Sequence, residues 1–344
     1  MKRNEKIVGK SRDYVLIKYE LGSDDHFEAY WNEASQTSFY LVSLKDGSRK
    51  ILKKGISNLG EKLQFSPTGK WIIFYDFKSG NYFSYEIATG MVRSITGCVA
   101  NSWIDLDNDE PEPQLPDRLV KWLENDDAVL INDGYDIWLI DPSGCKIPVN
   151  LTNAYGRKHR IKFDVLNDDA SLNNFSVQKG SLILFKAINT INKDWGFYSK
   201  ALGTTGNPAI LSMGPYIYGL WAGQNNYNYP PIKAKNAGVY LVLRSNESEA
   251  PNYFLTTDFK TFEQLSNVQP QKNYNWDTTK LHRWESLDGT SLQGILYKPE
   301  NFDSTKKIPE FFLLRKSVQT EWIHISGLRP PRKNYIPLFE VTVI

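Results

Sequence analysis

Cysteine is nearly absent, with Cys98 and Cys145 the only two in 344 residues. Both sit in or beside turns, and their spacing suggests neither a metal site nor a redox pair, so free thiols are expected. No stretch approaches the roughly 20 apolar residues of a membrane-spanning helix. The basic start, Met1-Lys2-Arg3-Asn4-Glu5-Lys6, leads into no apolar core of signal-peptide length. A soluble chain without an export signal is expected. Charge of one sign is lacking too: 41 Lys and Arg stand against 39 Asp and Glu, a net charge of +2. No overall field therefore favours nucleic acid or an anionic membrane. Gly-rich phosphate loops and paired Cys/His ligand sets are missing, so no cofactor and no metal is expected. Helical patterning is scarce, and the best candidate, Arg118 to Asn125, is short and runs straight into a strand pattern.

What the chain has is aromatic residues, at 13% with 19 Tyr and 10 Trp, and a repeat. High aromatic content suits pleated, half-buried surfaces. Apolar strands begin near Tyr14, Trp71, Val129, Ser181 and Val239, at intervals of 57, 58, 52 and 58 residues. Each is followed by a second strand, a polar turn and a third. In the second unit Phe65-Ser66-Pro67-Thr68-Gly69-Lys70 turns into Trp71-Ile72-Ile73-Phe74-Tyr75-Asp76, and strands Tyr82 to Ile87 and Met91 to Ile95 follow. In the third, Asn132-Asp133-Gly134 leads into Tyr135 to Ile140, and Asp141-Pro142-Ser143-Gly144 precedes Lys146 to Leu151. Such punctuation between β-branched and aromatic runs is a hairpin signal. One small sheet cannot bury both faces alone, so a period of this length predicts stacked sheets: an all-β, β-propeller fold with about five recognisable blades. The propeller is expected over 1–272.

The pattern changes after Lys272. Residues 284–299 read as two strands around Asp288-Gly289, within a linker-and-hairpin segment assigned to 273–309. Residues 310–344, with the basic, proline-containing run Gly327 to Lys333, are expected to form an aberrant tail that resembles neither a blade nor an orderly α/β domain.

Three pieces carry a family resemblance. Phe65 to Phe74 is similar to a blade strand shared among propellers. Tyr135-Asp136-Ile137-Trp138-Leu139-Ile140-Asp141-Pro142, continuing through Asn150-Leu151-Thr152-Asn153 to Gly156-Arg157, is more specific. Asp288 to Pro299, then Phe302-Asp303 and Lys306-Lys307-Ile308-Pro309, is similar to the first hairpin of a hydrolase domain. Together they resemble the prolyl oligopeptidase family of serine peptidases, especially its dipeptidyl-peptidase-like branch, over residues 12 to 309. The resemblance implies a propeller of about seven or eight blades, followed by an α/β-hydrolase domain. It implies a gate that admits short peptides to a Ser-Asp-His triad. It also implies the periplasmic or secreted location common among intact relatives.

The chain departs from that pattern after Pro309. No Gly-x-Ser-x-Gly elbow occurs, so no catalytic residue is assigned, and the chain alone is expected to be inactive. A broken or truncated gene or a reading-frame shift near residue 309 is one expected cause. The paired glutamates that hold a substrate's amino terminus in dipeptidyl members are absent, since no Glu-Glu occurs. The four histidines, His26, His159, His282 and His324, are read as structural or solvated. The acidic run Asp105 to Glu112 lacks the Gly and Glu positions of a calcium loop and reads as a solvated connection. Open blade edges predict self-association. The rival reading is a stand-alone propeller that serves as an interaction platform.

Overall fold

The computed structural model describes residues 5–21, 36–57, 63–104, 119–166, 180–219, 230–274, 276, 278–298, 302–306, 311–315 and 338–343. Among these residues almost every regular element is a strand. The first sheet holds β1 (Glu5–Lys10), β2 (Tyr14–Leu21), β3 (Gln36–Ser43) and β4 (Arg49–Ser57) in chain order. The second holds β5 (Gln64–Phe65), β6 (Trp71–Asp76), β7 (Asn81–Glu86) and β8 (Val92–Ser94). The third holds β9 (Leu119–Trp122), β10 (Val129–Asn132), β11 (Ile137–Ile140) and β12 (Val149–Asn150). After the five-residue helix α1 (Tyr155–His159) come β13 (Ile161–Val165), β14 (Leu182–Asn189), β15 (Trp195–Ala201) and β16 (Ala209–Gly214). The fifth sheet runs β17 (Ile217–Tyr218), β19 (Tyr240–Ser245), β20 (Asn252–Thr256) and β21 (Glu263–Gln264), with β18 (Ile232–Lys233) also on β19. Five consecutive antiparallel sheets, one per repeat, make the architecture all-β and propeller-like.

The first three sheets belong to one compact unit and the remaining sheets to a second. Within the first unit, β6 shows why the sheets stack. Trp71, Ile72, Ile73, Phe74 and Tyr75 are all buried, although successive side chains point to opposite faces. Trp71, Ile73 and Tyr75 join one core with Trp103, Trp122, Val129, Ile131 and Ile140 of the third repeat. Ile72 and Phe74 join another with Leu16, Phe39 and Leu41 of the first. A strand apolar on both faces thus finds a neighbour on each. In the second unit, Trp195 and Phe197 of β15 pack with Tyr218, Tyr240, Val242 and Phe259. The Phe197 ring lies 4.6 Å from Phe259 and 4.7 Å from Tyr218.

The turns follow from their residues. Ser66-Pro67-Thr68-Gly69 closes with a Gly69 N–H to Ser66 carbonyl bond of 2.9 Å, with proline and glycine where a type I turn favours them. Gly69 has φ +75°, and the Ser66 hydroxyl accepts the Trp71 N–H at 2.9 Å. Asp126, 3% exposed, ties this turn to the third repeat by accepting the Thr68 N–H at 3.2 Å and the Thr68 hydroxyl.

The stretch with the best helical patterning, Arg118 to Asn125, forms β9 followed by a 3₁₀ turn at Glu124–Asp126 over its described residues. Residues 119–122 pair with β10, and Asn125 and Asp126 take φ 60°, which no continuing helix accepts. Arg157, Lys158 and His159 lie in the last turn of α1. The sequence reading found no element beyond Pro309, yet β24 (Phe311–Arg315) and β25 (Leu338–Val343) join β22 (Thr278–Glu285) and β23 (Ser291–Lys298) in a last sheet of order β22-β23-β25-β24. Cys98 and Cys145 are exposed free thiols.

Two outcomes are expected. A Cβ on Gly196 would stand 1.9 Å from the Ser212 carbonyl oxygen, so Gly196→Ala should destabilise the protein by about 3 kcal/mol in a urea titration. Lys53 Nζ lies 3.0 Å from Asp76. Burial alone would raise the Asp76 pKa, but Lys53 and Ser79 outweigh it and hold the carboxyl below its ordinary value of 3.8. Its stabilising contribution is therefore complete above that value and fades as pH falls below it. In Lys53→Met that acid-side loss should shrink, as read from Tm between pH 5 and 2.

Candidate functional site

The last sheet differs in kind from the five before it. Its first two strands form a regular hairpin with eight facing pairs, from Thr278 opposite Lys298 to Glu285 opposite Ser291. The turn is closed by Gly289 N–H to the Ser286 carbonyl at 3.0 Å, and Gly289 takes φ +81°. β25 then pairs antiparallel to β23, while β24 and β25 run parallel. Parallel neighbours require a crossover connection, which a hairpin-built blade never uses. The hairpin thus opens a mixed sheet.

This hairpin is anchored to the fourth sheet within the same unit. The turn between β14 and β15 is held by Asn189, whose side-chain oxygen accepts the Ile191 N–H at 2.8 Å and the Asn192 N–H at 3.3 Å. Asn189 N–H donates to the Asp194 carbonyl at 2.8 Å, and Lys193, at φ 65°, donates its ammonium to the Thr190 carbonyl at 2.9 Å. Thr190 is bound in turn through its N–H to the Arg160 carbonyl at 2.8 Å. Burial raises the Asp194 pKa against the opposing bond from Asn192.

The stiffened turn presents the Ile191 carbonyl, which accepts from Gln293 Nε2 at 3.0 Å and from the Arg283 guanidinium. Arg283 and Gln293 face each other across β22 and β23, so one rung of the hairpin supplies both donors. Gln293 is only 3% exposed, on a face shared with buried Ile295 and Tyr297. That buried polar residue on an apolar face was the available signal, but its partner lies 102 positions away and no pattern pointed to it.

The motif Tyr135 to Asn153 is held by a cluster of polar bonds centred on Asp133 and Asp136. Asp133, 2% exposed, accepts the Tyr135 N–H at 3.0 Å, the Asp136 N–H at 2.7 Å, the Trp138 indole at 2.9 Å and the Asn101 amide. Thr152 donates to Asp136 at 2.6 Å and accepts the Ile137 N–H at 3.2 Å. His159 lies exposed on α1, its ring stacked 4.1 Å from Tyr155, and His282 is half-buried on β22. His26, His324 and the acidic run 105–112 lie outside the described residues. No helix among the described residues is long and apolar enough to cross a membrane.

No family model matches the chain, and no curated protein does. Solved structures do. The chain resembles a Bacteroides ovatus protein named as a dipeptidyl aminopeptidase IV, with TM-score 0.61, 13% identity, and coverage of 99% of this chain and 54% of that one. It resembles Porphyromonas gingivalis dipeptidyl peptidase 4 with TM-score 0.54 and 13% identity, over 96% of this chain and 47% of that one. A structure from a study of two prolyl endopeptidases gives TM-score 0.55 and 8% identity, over 98% and 46%. The chain thus has the fold of these peptidase structures and spans about half their length.

Replacing Gln293 with Leu leaves the Ile191 carbonyl to the exposed Arg283 alone. The hairpin should lose about 1 kcal/mol of local protection. Hydrogen-exchange mass spectrometry over 278–298 should show the faster exchange, and unchanged protection would mean that Gln293 does not anchor the hairpin.

Proposed function

We propose that this chain is the propeller portion of a prolyl-oligopeptidase-type serine peptidase together with the opening strands of its hydrolase sheet. The observation that carries this reading is the near-complete match of the chain to about half of each peptidase structure. The order of parts supports it: five blade-like sheets, then a hairpin that opens a mixed sheet with a parallel pair. Residues 1–272 then serve as the propeller, and the segment from 273 onward leads into hydrolase architecture. In such an enzyme the propeller limits access, so short peptides are the substrate class, and chemistry proceeds by acyl transfer from a serine activated by histidine and aspartate.

This chain carries the gating part without the nucleophile elbow, and it is inactive alone. Blade edges remain a route to self-association: Val92, Val149 and Ile210, on the outer strands β8, β12 and β16, are all more than half exposed. Purified chain incubated with a fluorogenic prolyl dipeptide should release no fluorophore, and a fluorophosphonate probe should label no serine. Turnover abolished by that probe would overturn the assignment of inactivity.

A further inference from the structure

The fifth sheet holds a cation that no carboxylate neutralises among the described residues. Arg244, near the end of β19, stacks its guanidinium 3.8 Å from the Phe254 ring centre and 4.3 Å from that of Tyr216, with Phe262 at 5.7 Å. Among the described residues no carboxylate pairs with it. Its Nε is buried without a hydrogen-bond partner, and the hydroxyl of Ser212 on β16 is buried beside it. Both groups act on the hydroxyl of Tyr218, which lies opposite Arg244 across the sheet and is 3% exposed. Burial pushes the Tyr218 pKa up to about 12, so the phenol keeps its proton as a donor.

A guanidinium covered on its faces by rings has only its edge left for hydrogen bonding. That planar fork is held still by the stacking and matches the two oxygens of a carboxylate. Stacking offsets part of the desolvation cost of the charge but supplies no counter-charge. A buried guanidinium nitrogen without a partner and a cation without a carboxylate, beside two hydroxyls, form a donor set that suits an anion. Arg244 and the rings of Tyr216 and Phe262 are each only partly buried, so the cluster is not sealed within the core.

We propose that Arg244, with Ser212 and Tyr218, forms a binding site for a carboxylate group carried by a small acid or by the C-terminus of a peptide. This proposal does not rest on the peptidase-type reading. The site requires the fork of arginine rather than charge alone, with the Ser212 and Tyr218 hydroxyls as further donors.

The test uses the full chain in isothermal titration calorimetry with N-acetyl-trialanine, its C-terminal amide, acetate and inorganic phosphate. The acid form should bind at least about tenfold more tightly than the amide, and Arg244→Lys should lose about the same factor. Because Arg244 packs on core rings, Ser212→Ala provides a second variant that leaves the stack intact, and it should weaken the acid form by a smaller factor. Binding of acetate as well as the peptide acid supports a general carboxylate site, and binding of the peptide acid alone supports capture of a peptide terminus. Equal binding of acid and amide, preference for phosphate, no binding of any probe, or undiminished affinity in both variants would each overturn the proposal.

Discussion

A four-stranded sheet whose inner strands are apolar on both faces cannot stand in water, and this constraint organises the chain. Five successive residues from Trp71 to Tyr75 are buried, and the pleat sends them alternately to two cores. Each sheet therefore needs a neighbour on both sides, and the repeat in the chain supplies one at near-constant spacing. Hydrophobic burial, at about 25 cal/mol per Å² of apolar surface, is the dominant favourable term. It is non-directional, however, and does not say which sheet faces which.

Direction comes from polar and backbone details at the ends of the strands. Asp126 reaches from the third repeat to the turn at Thr68, and Lys53 reaches from the first to Asp76 in the second. Asp133 collects donors from Tyr135, Asp136, Trp138 and Asn101. Such bonds give little net energy while made but cost heavily when one partner is left unpaired in the interior. They select one stacking register from the many that apolar surface alone would accept. Gly196 acts in the same way by exclusion, since its place opposite β16 admits no side chain.

The last sheet follows different rules. Its hairpin is local and could form on turn chemistry alone, whereas β24 and β25 meet through a parallel pairing. The rung Arg283–Gln293 fastens that hairpin to the Ile191 turn, which couples the fourth sheet to the last one, past the fifth in the chain. Arg244 is a different device, a charge with aromatic rings on its faces, a buried Nε without a partner and no paired carboxylate among the described residues. Both features depend on residues brought together by folding, and in both the exposed or buried state of one polar atom carries the meaning.

The sequence alone determined the strand content, the repeat and the hairpin at Asp288-Gly289. Those properties rest on period-two alternation and turn residues, which are interactions over a few positions. The strand Trp71 to Asp76 was legible to the residue because its β-branched and aromatic run follows a Pro-Thr-Gly turn and ends at Asp76. The strand at Leu119–Trp122 was not, because a four-residue run takes its identity from the partner across the sheet. The tail strands escaped for the same reason: a parallel pair has no local turn to announce it. Only the tertiary structure decided that Gln293 meets Ile191 and that Arg244 lies between Tyr216 and Phe254. Contacts over such separations depend on how whole sheets stack, and no local pattern in the chain encodes that.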